Sequence, residues 1–182
     1  MEFLTEEDII KLMNKSEENY KYYKGRWEYF GELINEIKKM GDIGKTLELG
    51  PYKTPVVVGG DIIDISAAYI NEYPIAYGKF IKHNCRLVPY PVKDKEYDLI
   101  IASQVLEHLG IYGEQRDIFE EFKRISNRAI ITLPFEWFAP KSRDHHMITK
   151  KVITYWTGDY KPSVEIVTGD EFKRILLVYD FN

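Results

Sequence analysis

Chemistry is first suggested by Gly50 and Asp64. The stretch TLELGPYKTPVVVGGDIIDIS, Thr46 to Ser66, holds a short apolar run ending at Leu49, then Gly50, then a second apolar run ending on Asp64. A glycine at that junction leaves no Cβ between backbone and ligand. A carboxylate closing the next strand can accept hydrogen bonds from two ribose hydroxyls. The pair predicts a nucleoside site at the opening of an α/β ligand-binding fold. Asp61 competes with Asp64 for the ribose, since either can stand near the end of the second strand. His108 is a second candidate, because an imidazole titrates near neutrality and suits a general base.

The elements that must position these residues follow from periodicity. Thr5-Glu6-Glu7-Asp8 reads as a helix start, with acidic residues in the first turn. Tyr20, Tyr23, Trp27, Phe30, Ile34 and Ile37 recur at steps of three and four, predicting one long helix from about Ser16 to Met40 that stops at Gly41. Between Gly50 and Asp61 only Pro51 to Gly60 remain, so the first crossover is a turn or a truncated helix. From Ser66 the chain reads as helix interrupted by Pro74 and Gly78, with a short third strand near Arg86 to Val88. Tyr97 to Ser103 is apolar enough for a strand covered on both faces. Gly113 to Ser126 reads as helix, Arg128 to Leu133 as strand and Thr149 to Trp156 as helix. Ser163 to Val167 and Arg174 to Tyr179 form a hairpin through Gly169 and Asp170.

Composition bounds the function. At 182 residues and 45% hydrophobic the chain suits one domain with a real core, and its single cysteine, Cys85, excludes an internal disulfide and any multi-cysteine zinc site. Cys85 reads as structural. With no apolar run of membrane-spanning length and no leader before the first charged residues, a soluble cytoplasmic protein is expected. A net charge of −4 argues against a nucleic-acid partner, and Lys141, Arg143, Lys150 and Lys151 read as solvated surface.

LELGP followed by DIIDIS resembles motif I of the class I S-adenosylmethionine-dependent methyltransferases, of the type 11-like kind. YDLIIASQVLEHL, Tyr97 to Leu109, resembles that family's fourth strand and following loop. The resemblance implies a three-layer Rossmann-like fold. Its seven-stranded sheet would be mostly parallel with an antiparallel C-terminal strand, behind N-terminal helices. It implies a single methyltransferase domain, with residues 1–41 as a helical cap and 45–182 as the core. The implied cofactor is S-adenosyl-L-methionine, and the implied acceptor is a small molecule. Motif I keeps only Gly50 of the family's two or three glycines, which is tolerable because this cofactor has no pyrophosphate to cradle.

The resemblance also assigns roles. Glu48 matches the acidic residue that orients the cofactor's amino-acid end, or else ties down the loop. Asp64 takes the ribose, Ile65 offers the adenine an apolar face, and Leu87 packs against the ring. Asn84 substitutes for the family's acidic adenine ligand, or is simply a turn former. Ser103, Gln104, Val105, Glu107 and His108 lie where ligands gather beyond the carboxyl ends of the strands. His108 is then the catalytic base or part of the loop scaffold. On the acceptor side stand Tyr23 and Trp27, with Tyr20 and Tyr22, as a lid, or else this aromatic stripe packs on the sheet. Glu107, Trp137 and the pair His145 and His146 complete that side, Trp137 and Phe138 otherwise covering a core edge. Some relatives place Glu-x-x-Glu-His at the LEH turn to hold a divalent metal. Gln104 replaces the first glutamate, so no metal is assigned. The alternative is a catalytically inactive methyltransferase-like binding or regulatory module. A nicotinamide-binding protein is a poorer rival, because GxGxxG is absent.

Overall fold

The computed structural model describes residues 1–110, 113–137, 147–169 and 172–181. In chain order it has α1 (Glu6–Met13), α2 (Glu17–Tyr23), α3 (Arg26–Lys39), β1 (Thr46–Leu49), β2 (Asp61–Asp64), β3 (Phe80–Lys82) and β4 (Tyr97–Ser103). There follow α4 (Glu114–Ile125), β5 (Ser126–Pro134), α5 (Lys150–Thr157), β6 (Val164–Thr168) and β7 (Arg174–Asp180). The strands form one sheet in the order β3-β2-β1-β4-β5-β7-β6. The first five run parallel, and β7 is antiparallel to both β5 and β6. The expected sheet and hairpin are both present.

Alternation along the strands builds two cores. Ile100 and Ala102 of β4, Ile131 and Leu133 of β5, and Ile175 and Leu177 of β7 face Ile118, Phe119 and Phe122 of α4 and Ile153 and Trp156 of α5. Leu99, Ile101, Ile130, Leu176 and Val178 point the other way, where α1 and α3 cover them with Ile9, Leu12, Phe30, Leu33, Ile34 and Ile37. The N-terminal helices are thus one layer of a three-layer structure. In β1, Leu47 and Leu49 enter the first core, which leaves Glu48 buried on the opposite side.

Three local readings need correction. The long N-terminal helix is two, because the chain breaks at Lys24-Gly25, where Gly25 adopts φ 76° in the left-handed region, and α3 sets off afresh. The aromatic recurrence survives the break, which is why periodicity alone joined the two halves. Beyond Ser66 only a single 3₁₀ turn forms, Ile70–Glu72, with none of its residues buried. The stretch has no apolar stripe long enough to hold a helix on the sheet. The third strand lies at Phe80–Lys82, where Ile81 pairs with Ile63 and is buried. The segment near Arg86 instead belongs to a turn, in which Asn84 Oδ1 accepts from the Arg86 N–H at 3.1 Å. The crossover from β1 to β2 is a helix-free loop, the first of the two forms its length allowed.

Candidate functional site

The sheet reverses direction of growth between β1 and β4, since β2 and β3 add on one side and β5 and β7 on the other. Such a switch point opens a crevice beyond the carboxyl ends of the strands. A cavity of about 580 Å³ lies there. Gly50, Asp64, Asn84, Ser103 and His108 all line it, together with Glu48 and Ile65.

At one end, Gly50 stands at φ 54° directly after β1, and a Cβ built on it would meet Val105 Cγ2 at 2.8 Å. Only glycine fits that turn without moving Val105. Glu48 projects behind it, and its Oε2 accepts from the Val56 N–H at 2.7 Å. Burial raises its carboxyl to about 8, against the opposing effect of the Val56 and Val57 amides. Asp64, at the end of β2, accepts through Oδ1 from the Ser66 N–H at 3.1 Å, and its Oδ2 makes no hydrogen bond among the described residues. Ile65 beside it is exposed along the cavity. Asp61 lies at the other end of β2, where Oδ2 accepts from the Tyr97 hydroxyl at 3.0 Å and pairs with Lys45 at 3.2 Å. Its place is structural, which leaves Asp64 as the carboxylate facing the crevice. Cys85 also borders the cavity, but burial pushes its thiol up to about 12, and Sγ donates to the Ile63 carbonyl at 3.6 Å. A protonated thiol held this way is no nucleophile.

The middle of the cavity is set by the turn after β4. Gln104 adopts φ 55°, and its N–H donates to the Thr132 carbonyl at 2.9 Å, while Ser103 Oγ shares a hydrogen bond with Thr132 Oγ1 at 3.0 Å. The left-handed turn is therefore fixed from β5. It leads into a 3₁₀ turn, Leu106–His108, with Glu107 buried and His108 half-exposed. His108 Nε2 stands 3.9 Å from Glu107 Oε1. Burial raises the Glu107 carboxyl to about 8, despite the nearby positive charges of Arg26 and Arg174, and among the described residues its Oε2 has no hydrogen-bond partner.

The far end is aromatic and cationic. Tyr22, Tyr29 and Phe30 from the N-terminal helices face Pro134 at the end of β5 and Trp137 just beyond it. Arg26 lies over the Tyr22 ring at 3.9 Å, donates from Nε to the Tyr22 carbonyl at 2.5 Å and from Nη1 to the Tyr29 hydroxyl at 2.6 Å. Arg174, opposite Pro134 at the start of β7, sits 4.6 Å from the Tyr29 ring centre and 5.2 Å from that of Trp137.

Several expected contacts fall elsewhere. Tyr23 is buried with its hydroxyl donating to the Lys53 carbonyl at 3.1 Å, and Trp27 borders a separate groove with Met1 and Phe3. Their neighbours Tyr22 and Arg26 take the cavity side, one residue away on a helix face that sequence periodicity does not resolve. Tyr20 is exposed, and Leu87 is exposed and outside the cavity lining. Phe138, Lys141, Arg143, His145 and His146 lie outside the described residues. Arg174 escaped the sequence reading because it opens a strand. Its antiparallel direction is what returns that first residue to the crevice edge.

No protein-family model and no curated protein matches the chain significantly. Among solved structures it is similar to the N-methyltransferase NodS from Bradyrhizobium japonicum WM9 in complex with S-adenosyl-L-homocysteine. The identity is 12%, with 96% of each chain covered and a TM-score of 0.69. It is similar also to magnesium protoporphyrin IX methyltransferase (ChlM) from Synechocystis PCC 6803 with bound S-adenosylhomocysteine, at 13% identity, 88% and 85% coverage and TM-score 0.66. The PH0226 protein from Pyrococcus horikoshii OT3 matches at 19% identity, 87% and 90% coverage and TM-score 0.61. At such identities the likeness is one of chain path, and the chain has the Rossmann-like fold found in class I methyltransferases such as NodS and ChlM.

Proposed function

We propose that the protein transfers a methyl group from S-adenosylmethionine to a small-molecule acceptor. One observation carries the reading: a backbone cradle that a Cβ would fill, Gly50, shares a single crevice with the strand-ending carboxylate Asp64 and the His108 turn. Asp64 would accept from the ribose hydroxyls, with Ile65 and Asn84 along the base. Glu48 would take the ammonium of the amino-acid end, which requires its carboxyl to ionise. The cofactor supplies a methyl carbon already activated by sulfonium. The chain's remaining work is alignment and exclusion of water, for which the aromatic walls from α2, α3 and the segment after β5 are suited. His108 would accept a proton from an acceptor that must lose one. The N-terminal helices serve as one wall of the acceptor space. A small acceptor accords with a crevice of about 580 Å³, and among the described residues no helix is long and apolar enough to cross a membrane.

Calorimetric titration with S-adenosylmethionine, S-adenosylhomocysteine and NAD tests this reading. Saturable binding of the first two, no binding of NAD, and at least a tenfold loss in Asp64→Ala are expected. Failure of both adenosyl compounds to bind the folded protein would contradict it.

A further inference from the structure

The far end of the crevice holds buried polar groups that the adenosyl reading does not use. Among the described residues, Arg174 Nε and Trp137 Nε1 are both buried donors with no acceptor. Each forgoes a bond that such groups in folded proteins almost always make. They are neighbours, the guanidinium carbon lying 5.2 Å from the Trp137 ring centre. Arg174 also lies 4.6 Å from the Tyr29 ring, so its flat faces lie against aromatic rings and its N–H edge is what remains to be met. Its only hydrogen bond among the described residues is a long one, 3.5 Å, from Nη1 to the Phe172 carbonyl. Arg26 adds a second guanidinium across the Tyr29 hydroxyl. Among the described residues neither arginine has a carboxylate within 4.0 Å, although Glu107 lines the same cavity. Two cations facing one buried carboxyl leave an excess of positive charge.

We propose that this end of the crevice binds the carboxylate of the methyl acceptor, with Arg174 Nε and Trp137 Nε1 donating to its oxygens. Calling it the acceptor's end rests on the methyl-transfer reading above. A carboxylate fits better than a phosphate, because two N–H donors match its two oxygens and leave the further oxygens of a phosphate unmet. The walls of Tyr29, Phe30 and Trp137 suit a flat apolar body. The cofactor's own carboxylate is the other source of the same chemistry. Arg174 and Trp137 come from β7 and the segment beyond β5, whereas Gly50 and Asp64 come from β1 and β2, and this separation assigns the pair to the acceptor.

The probe is benzoate, with benzylamine and inorganic phosphate as controls, titrated with and without S-adenosylhomocysteine into protein carrying ¹⁵N-labelled tryptophan. Three indole N–H signals are expected, and Trp137→Phe identifies the relevant one by its loss. Benzoate should move that signal saturably while the controls do not. Arg174→Gln should weaken benzoate at least tenfold and leave S-adenosylhomocysteine within threefold of wild type. If Arg174→Gln fails to fold, Arg174→Lys, which keeps the charge but loses Nε, should still weaken benzoate at least threefold. An unmoved Trp137 signal, an equal response to benzylamine or phosphate, or equal benzoate binding in a folded Arg174 variant would overturn the proposal. So would a tenfold loss of S-adenosylhomocysteine in that variant, which would assign the cation to the cofactor's tail. Benzoate binding without any adenosyl binding would support the carboxylate site and overturn the methyl-transfer reading instead.

Discussion

Glu107 is where burial most directly becomes a pH dependence. Its carboxyl is raised to about 8 from an ordinary 4.5, so the folded chain keeps a proton that the unfolded chain has already lost. Its contribution to stability is therefore fully present below pH 4.5 and is lost as pH rises to about 8. Glu107→Gln should flatten the fall of stability between pH 5 and 8 by at most about 1.4 kcal/mol per pH unit, read from urea midpoints. An unchanged slope would show that this carboxyl ionises at its ordinary pH. Glu48, also raised to about 8, carries the same dependence and ties pH to ligand affinity as well. If it must lose its proton to take an ammonium, S-adenosylhomocysteine affinity should rise from pH 6 to pH 8 and the rise should vanish in Glu48→Gln. Asp64 was legible in the sequence as one of two carboxylates on the second strand, and the fold separates it from Asp61, which is taken up by Tyr97 and Lys45. Arg26 and Arg174 were not, because an arginine opening a helix or strand looks like solvated surface until the fold turns it inward.

At the scale of elements, two glycines separate backbone strain from steric conflict. Gly25 divides α2 from α3 at φ 76° with open space around it, so Gly25→Ala should cost only the left-handed strain, about 1–2 kcal/mol in urea or thermal unfolding. Gly50→Ala carries the same kind of strain at φ 54° and adds a 2.8 Å approach to Val105 Cγ2. It should cost more and also weaken S-adenosylhomocysteine, since Val105 lines the crevice. Equal effects of the two substitutions would show that Val105 yields freely. Long apolar runs such as Tyr97–Ser103 and stripes such as that of α4 were legible, because strand and helix each bury a continuous face. β3 was misplaced because three residues carry too little pattern to outweigh neighbouring turn residues.

For the molecule as a whole, the order of strands decides where function can lie. Only the reversal between β1 and β4 puts Gly50, Asp64 and the His108 turn beside one another, and only the antiparallel β7 brings Arg174 to the same edge. The N-terminal helices complete the three layers, covering Leu99, Ile101, Ile130, Leu176 and Val178. Deleting residues 1–41 should therefore leave an apolar face exposed and yield an aggregating or molten chain, visible as loss of a cooperative thermal transition. A folded, monomeric truncation would show that the helices are an accessory. The overall architecture was readable from element order, whereas the cationic end of the crevice depends on Arg26 and Arg174, about 150 positions apart, both meeting Tyr29, which no local pattern records. The most direct measurement of the central claim is a crystal structure of the protein grown with S-adenosylhomocysteine. The ribose hydroxyls should lie on Asp64, the nucleoside against Gly50 and the sulfur toward the Ser103–His108 turn; density for the ligand anywhere else, or with Asp64 turned away from it, would contradict a methyl-transfer site in this crevice.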